Sequence, residues 1–359
     1  MRRILFFLIL ITLLICPVWA DSGGVDVSAV EEGLDGEARE ISGELVTDGS
    51  YDAEGAITRL FSRIKRELEE GARAELRALA QIIAIAALCS AAEAICTDKK
   101  ASELISMCAC AAVTLCTVGS LDALISQMRS SMSVLNDYSR AAMPAVFTAA
   151  AASGAMLSSG AKYAAVCLCL DIIMELTQKL TIPLIYAFLA LCVCRSVFPN
   201  AVIGAAVNFT RWLAVTVMTF LTIGASAYIG LVSALTGSAD AAAVKAAKTV
   251  ISSALPVVGG IISDAASTVL ASAAVIKSSA GVFALIGVCA LCVAPFAAIG
   301  VKLLAFKLCA AVASALEGSR LASLLGDIAA ALGMMMGVLG SMTIMLFISF
   351  SAAIRTVSA

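Results

Sequence analysis

Long apolar runs, separated by short polar or charged stretches, dominate the pattern of the chain. A helix needs about 20 mainly apolar residues to cross the hydrocarbon core of a membrane. The pattern therefore predicts an all-α, polytopic integral membrane protein with roughly six to eight transmembrane helices in a multi-pass domain, residues 76–359. The candidate spans are Leu76–Cys96, Glu103–Leu121, Ala141–Gly160, Tyr163–Leu180, Ile182–Phe198, Trp212–Leu235, Gly281–Val301 and Ile328–Phe350. The polar runs Asn136–Arg140 and Phe198–Arg211 are predicted loops, Lys99 and Lys100 form a short basic loop after the first span, and Lys302 is a basic residue just after the seventh.

The fourth candidate span is the main reason for the range in that count. Asp171, Glu175 and Lys179 recur within it at i, i+4 and i+8, so they share one face of a helix. Charges inside membrane helices are costly and are functional candidates by default. Pairing of both carboxylates with Lys179 is the purely structural interpretation, and the segment is either a span or an amphipathic helix.

Two further segments are helical by pattern but are too polar to be plain spans. In residues 53–75, apolar residues recur at helical spacing and opposite charges are four residues apart, which predicts an interfacial amphipathic helix. Residues 238–279 contain two helical patterns on either side of a break, which predicts an amphipathic helical hairpin. Pro256, Gly259 and Gly260 are the candidate hinge.

A narrow polar stripe follows this hinge. Asp264, Ser267 and Thr268 share one face of the second helical pattern, and apolar residues cover the opposite face. Such a helix either lies on a membrane surface or lines a polar cavity. The stripe is therefore either a solvated surface or a functional polar face, and Asp264 is its most interesting member.

The first 52 residues differ from the rest of the chain. Arg2 and Arg3 precede an apolar run that ends at a small-residue cleavage pattern, so residues 1–20 are predicted to be a signal peptide. An uncleaved anchor is the alternative. Residues 21–52 hold ten carboxylates and one base, Arg39, which predicts a flexible extracytoplasmic segment.

Composition agrees with a membrane protein and excludes several classes of function. The chain is 61% hydrophobic and 14% charged, far from the balance of soluble domains. It has no histidine, which excludes imidazole bases and histidine metal ligands, and its net charge of −2 gives no basis for binding nucleic acid. It also lacks a Walker A loop, G-x-S-x-G and H-E-x-x-H. We therefore expect no enzymatic activity and no cofactor, and powered transport would need a separate ATPase.

Thirteen cysteines raise the question of disulfides or metal binding. Most of them lie inside apolar runs, where cysteine behaves as a small buried hydrophobe. Cys289-x-x-Cys292 has the spacing of a redox motif, but its neighbours supply no charge that would activate a thiol. We expect packing roles for these residues.

The region around the predicted hinge resembles a known family. Pro256-Val257-Val258-Gly259, Asp264-Ala265-Ala266, Thr268-Val269-Leu270 and Ser272 are similar to the signature region of stage III sporulation protein AE, a polytopic membrane protein of endospore-forming bacteria. The close resemblance covers roughly Pro256 to Gly281. Outside it, the similarity is one of order: signal peptide, acidic segment, then spans.

The resemblance implies a multi-pass component of a channel or secretion-like complex that links mother cell and forespore. This chain would be its permease-like core, needed for late forespore gene expression, in the mother-cell membrane that surrounds the forespore. Its partners would be the lipid bilayer, other membrane proteins of that complex and a separate ATPase.

An autonomous secondary transporter, or a permease for an unknown small substrate, is the alternative. Transporters of that class usually show inverted repeats and broken helices. The break at Pro256–Gly260 has no visible counterpart in the first half of the sequence.

Overall fold

A computed structural model describes residues 46–47, 50–51, 53–96, 98–152, 156–198, 200–254, 259–316 and 319–354. These residues form long helices preceded by one very short strand pair. The elements are β1 Val46–Thr47, β2 Ser50–Tyr51, α1 Ala53–Ile95, α2 Lys99–Ala152, α3 Met156–Leu176, a π-helical segment Thr177–Thr181, α4 Ile182–Val197, α5 Ala201–Ala254, α6 Gly259–Ala315 and α7 Ser319–Ile354.

The strands form a minimal antiparallel pair in which Val46 faces Tyr51 and Thr47 faces Ser50. They are the described part of the acidic segment 21–52. The signal peptide predicted for residues 1–20 lies outside the described residues. The amphipathic segment 53–75 is helical, and it forms the first half of α1.

Six helical segments in the described part of the chain are long and apolar enough to cross a membrane, so the prediction of several membrane-type helices is confirmed. Five of them are longer than the predicted spans: two join spans that were predicted as separate, and three extend beyond a predicted end. The six are Glu75–Ile95, Lys100–Thr148, Tyr163–Val197, Ala201–Val232, Ala284–Ala315 and Arg320–Ser351.

Helix α2 joins the predicted second and third spans. The prediction of a loop between these spans at Asn136–Arg140 is wrong, because α2 is one helix of 54 residues that includes this polar run. The reason is that the side chains of this run divide between the buried face and the exposed face of the helix. Tyr138 is 1% exposed and its hydroxyl donates a hydrogen bond to the carbonyl of Ala284 at 3.1 Å, whereas Asp137 and Arg140 point outward.

The loop predicted for Phe198 to Arg211 is also shorter than expected. Helix α4 ends at Val197 and α5 begins at Ala201, so only the first residues of the predicted loop are non-helical. Asn200 caps α5, because its Oδ1 accepts a hydrogen bond from the backbone N–H of Val202 at 3.0 Å.

The turn between α1 and α2 is built in the same way. Oδ1 of Asp98 accepts from the backbone N–H of Lys100 at 3.1 Å. The sequence predicted a basic loop at Lys99 and Lys100, but these two residues form the first turn of α2.

The predicted fourth and fifth spans form one continuous helical rod. They are joined through the π-helical segment Thr177–Thr181, which Pro183 follows two residues later. A proline has no N–H to donate, and its ring clashes with the carbonyl of the residue four positions earlier, here Lys179. The wider π turn accommodates both effects without breaking the rod.

Helix α7 is the centre of the bundle and packs against α2, α4, α5 and α6. In its most apolar stretch 61% of the residues are buried, against 11% in α5, so α5 is peripheral. Since consecutive helices pack together through short connections, their directions alternate along the chain. The α1–α2, α4–α5 and α6–α7 connections therefore lie at the same end of the bundle.

Candidate functional site

The structure brings oppositely charged side chains from different helices together inside the apolar bundle. The most enclosed pair joins Lys302 of α6 to Glu75 of α1, with Nζ and Oε1 2.9 Å apart. The two side chains are only 11% and 18% exposed. Both residues lie within membrane-type segments, where an unpaired charge would be strongly unfavourable, so the ion pair offsets part of that cost.

A second pair joins α4 to the central helix. The guanidinium of Arg195 donates to the carboxylate of Asp327 and, at 2.9 Å, to the hydroxyl of Ser323 one turn earlier on α7. The Asp327 side chain is 15% exposed and that of Arg195 27%. Arginine suits this position because its planar fork can bind the carboxylate and the hydroxyl at once.

A third pair lies nearer the end of the bundle. Nη2 of Arg320, in the first turn of α7, is 3.1 Å from Oε1 of Glu103 in the first turns of α2. Glu103 is 64% exposed, so this pair is more screened than the other two and contributes less. Together the three pairs connect α1, α2 and α4 to the two most buried helices, α6 and α7.

The charges predicted within the fourth span are paired, but with different partners from those expected. Nζ of Lys179 is 2.5 Å from Oε1 of Glu175, as the i, i+4 spacing indicated. Asp171 does not contact Lys179. Its Oδ1 is 2.6 Å from Nη2 of Arg140 on α2, in the run that sequence had assigned to a loop. Both pairs lie on the outer surface of the bundle, away from the buried pairs.

The predicted hinge and polar stripe lie where α5 gives way to α6. Helix α5 ends at Ala254 and α6 begins at Gly259, so Gly259 and Gly260 are helical, and Pro256 lies outside the described residues. Asp264, Ser267 and Thr268 lie in the first three turns of α6. Their side chains are likewise outside the described part, and the functional role of this face stays a prediction.

Sequence reasoning missed the buried pairs. Asp327 lies one residue before the predicted span beginning at Ile328, and Lys302 was interpreted as a basic residue just after a span. A signal was present for both, because each charge interrupts a long apolar run instead of ending it. Their partners could not be read from the sequence, since Glu75 is more than two hundred residues from Lys302.

The cysteines agree with packing roles. The twelve that the structure describes are all free, and Cys292, Cys192 and Cys110 are buried in the core. Sγ of Cys292 lies 3.1 Å from the hydroxyl of Thr343 on α7. Among the described residues, no group of three or more possible metal ligands occurs.

Long apolar helices packed around paired charges define a polytopic α-helical membrane protein. The sequence model of the family described as Stage III sporulation protein AE matches residues 40–356. The chain belongs to that family, which confirms the resemblance seen around Pro256, and it is a sporulation protein.

One curated relative is Stage III sporulation protein AE of Bacillus subtilis (strain 168). It is 25% identical to this chain over 244 residues, which cover 66% of this chain and 59% of the relative. The match therefore spans less than two thirds of that relative's length. No solved structure matches the chain.

Proposed function

We propose that this chain is the permease-like membrane core of a channel or secretion-like complex between mother cell and forespore, needed for late forespore gene expression. The observation that carries the proposal is the Lys302–Glu75 pair, held inside the bundle of a sporulation-family membrane protein. Ionisable groups that face the interior of a membrane bundle typically mark the path of an ion or a substrate.

The same proposal places the chain in the mother-cell membrane that surrounds the forespore. Its partners there are other membrane proteins of the complex and a separate ATPase, because the sequence contains no nucleotide-binding loop of its own. We assign it no catalytic reaction and no cofactor.

The predicted polar face of α6 provides the test. Asp264→Asn keeps the shape of the side chain and removes its charge, and Thr268→Leu removes a hydroxyl from the same face. We expect both variants to accumulate in the membrane while late forespore gene expression and spore formation fail. Ala273→Leu adds bulk on the opposite face of the helical pattern and is the matched control. It should sporulate normally.

The readouts are a late forespore reporter and the amount of protein in the membrane fraction. If both polar-face variants sporulate as well as the unsubstituted chain, this face of α6 is a solvated surface and its proposed functional role is wrong. A replaceable surface residue would change the free energy of unfolding by no more than about 0.5 kcal/mol.

One observation favours the alternative of an autonomous secondary transporter. The π-helical segment Thr177–Thr181 lies within a membrane-type rod in the first half of the chain, and π segments inside helices are frequent at functional sites, so the chain has a candidate solute site of its own. Purification from sporulating cells separates the two functions. Membrane partners and an ATPase should copurify with a complex subunit, whereas an autonomous transporter should purify alone and move solute in vesicles without them.

A further inference from the structure

A polar stripe runs along the outer surface of α2, the helix that joins the predicted second and third spans. Its members are all exposed. At 100° per residue they fall within an arc of about 100°, and from first to last they extend about 27 Å at 1.5 Å per residue. The members of this α2 stripe are Asp122, Ser126, Arg129, Ser133, Asp137 and Arg140.

The neighbouring rod of α3 and α4 adds polar groups to both ends of this stripe. At one end, the Tyr186 hydroxyl donates to Oδ1 of Asp122 at 2.7 Å, and the Arg129 guanidinium lies 5.9 Å from the centre of the Tyr186 ring. At the other end, Arg140 binds Asp171. The Glu175–Lys179 pair lies between these two ends on the same rod. The result is one continuous polar surface on two adjacent helices.

On the other side of the rod from α2, where α3 packs against α5, the surface is apolar at the same height. Leu168 and Ile172 lie within one turn of Asp171, and they line a groove of about 270 Å³ together with Phe220 and Tyr228 of α5. Phe220 is 77% exposed, so this flank presents large apolar side chains outward. At one level of the bundle, one flank is therefore apolar and the other is charged.

In a membrane, this arrangement is favourable only if the charged flank faces water and the apolar flank faces lipid. Charged groups pointing into hydrocarbon are strongly unfavourable, and a broad apolar surface in water is unfavourable as well. If this level lay outside the bilayer, the Phe220 flank would be exposed to water. If lipid surrounded it on all sides, the two exposed ion pairs and Arg129 would face acyl chains.

We propose that the α2 stripe lines a water-filled pathway across the membrane, with the Phe220 flank against lipid and neighbouring subunits closing the rest of the wall. This rests on the proposed function and adds to it the class of solute. The stripe and its partners carry four carboxylates and three bases. Because the signs are nearly balanced, the pathway takes small hydrated polar solutes and selects by size more than by sign of charge.

Thiol labelling in membrane fragments from sporulating cells, with both faces accessible, tests this proposal in the assembled complex. Ser126→Cys and Ser133→Cys place thiols on the stripe, and Leu168→Cys and Ile223→Cys place them on exposed apolar positions. A charged, membrane-impermeant thiol reagent is added, and mass spectrometry measures labelling at each position. The unsubstituted chain, with its exposed Cys108, Cys116 and Cys194, gives the baseline.

We expect the stripe positions to react roughly a hundredfold faster than the apolar positions, because a charged reagent is largely excluded from hydrocarbon. Equal, rapid labelling of both sets would show that this level lies outside the bilayer and would overturn the proposal. Absence of labelling on the stripe would also overturn it, since a dry surface covered by protein is not a pathway.

The outcome is separable from that of the proposed function. Each cysteine variant is also scored for spore formation, which shows whether it is folded and active in the complex. An unlabelled stripe in a strain that sporulates would end this inference and leave the proposed function standing. If the α2 stripe is labelled but the Asp264→Asn and Thr268→Leu variants sporulate normally, the stripe does face water and the test of the proposed function has failed.

Discussion

Buried hydroxyl groups in this bundle form hydrogen bonds within their own helices, because little water is available to them. Hydroxyls on the buried helices bond to the carbonyl one turn earlier: Thr117 to Val113 and Thr343 to Leu339, both at 2.8 Å. Thr181, at the end of the π segment, is the exception. It is 2% exposed, and its hydroxyl has no hydrogen-bond partner among the described residues. The rod therefore carries an unsatisfied polar group at the point where its helical geometry changes.

Close approach between helices makes one glycine irreplaceable. A methyl group added at Gly287 would lie 2.0 Å from the Tyr138 hydroxyl and 2.4 Å from the ring carbon that bears it. We expect Gly287→Ala to destabilise the protein by about 1–3 kcal/mol, because Tyr138 is buried and would have to move. Loss of folded protein on heating in detergent is the measurement. Gly326→Ala is the control, since nothing lies within 4 Å of its added methyl, and it should be neutral or slightly stabilising. Equal melting of the two variants would contradict the close packing.

At the scale of elements, the sequence predicted helices well and their ends poorly. The apolar runs identified every membrane-type segment, because length and hydropathy are local properties. Asn136–Arg140 was misassigned because the same polar residues are expected in a loop and on the exposed face of a helix. Only the burial of Tyr138 against α6, 146 residues away, shows that this run is part of a helix. The buried ion pairs could not be predicted for the same reason, since each joins helices distant in the chain.

The Lys302–Glu75 pair should behave as a coupled unit. Lys302→Met leaves a carboxylate without its partner between α1 and α6, which should cost about 3–5 kcal/mol of stability. Adding Glu75→Leu removes that charge as well and should recover most of the loss. Resistance to unfolding in a denaturing detergent, measured for both single variants and the double variant, gives the coupling.

Lys179→Met is the matched control for this pair. Its partner Glu175 is 63% exposed, so the same substitution should cost no more than about 1 kcal/mol. If the double variant at Lys302 and Glu75 is no more stable than the worse single variant, the two charges are not coupled and the pair is not a stabilising unit.

At the scale of the whole molecule, alternating helix directions place the turns at Asp98 and Asn200 on the same side of the membrane. The sequence predicts that residues 21–52 are extracytoplasmic, and on that prediction α1 crosses inward and the basic residues Lys99 and Lys100 follow on the cytoplasmic side. We expect protease sites inserted at either turn to resist protease added outside protoplasts and to be cut after lysis. Cutting of both sites from outside would invert the topology, and cutting of only one would contradict the alternation.

The burial of α7 has a consequence for how the protein is made. It is the last of the described helices in chain order, so it leaves the ribosome after the helices that pack around it. Until then, the surfaces of α2, α4, α5 and α6 that contact α7 have no partner, and the Arg195 guanidinium has no carboxylate from Asp327. The helix bundle of the nascent chain therefore stays incompletely packed during insertion, until α7 is made. Translation products that stop before α7 should be recognised as unassembled and degraded.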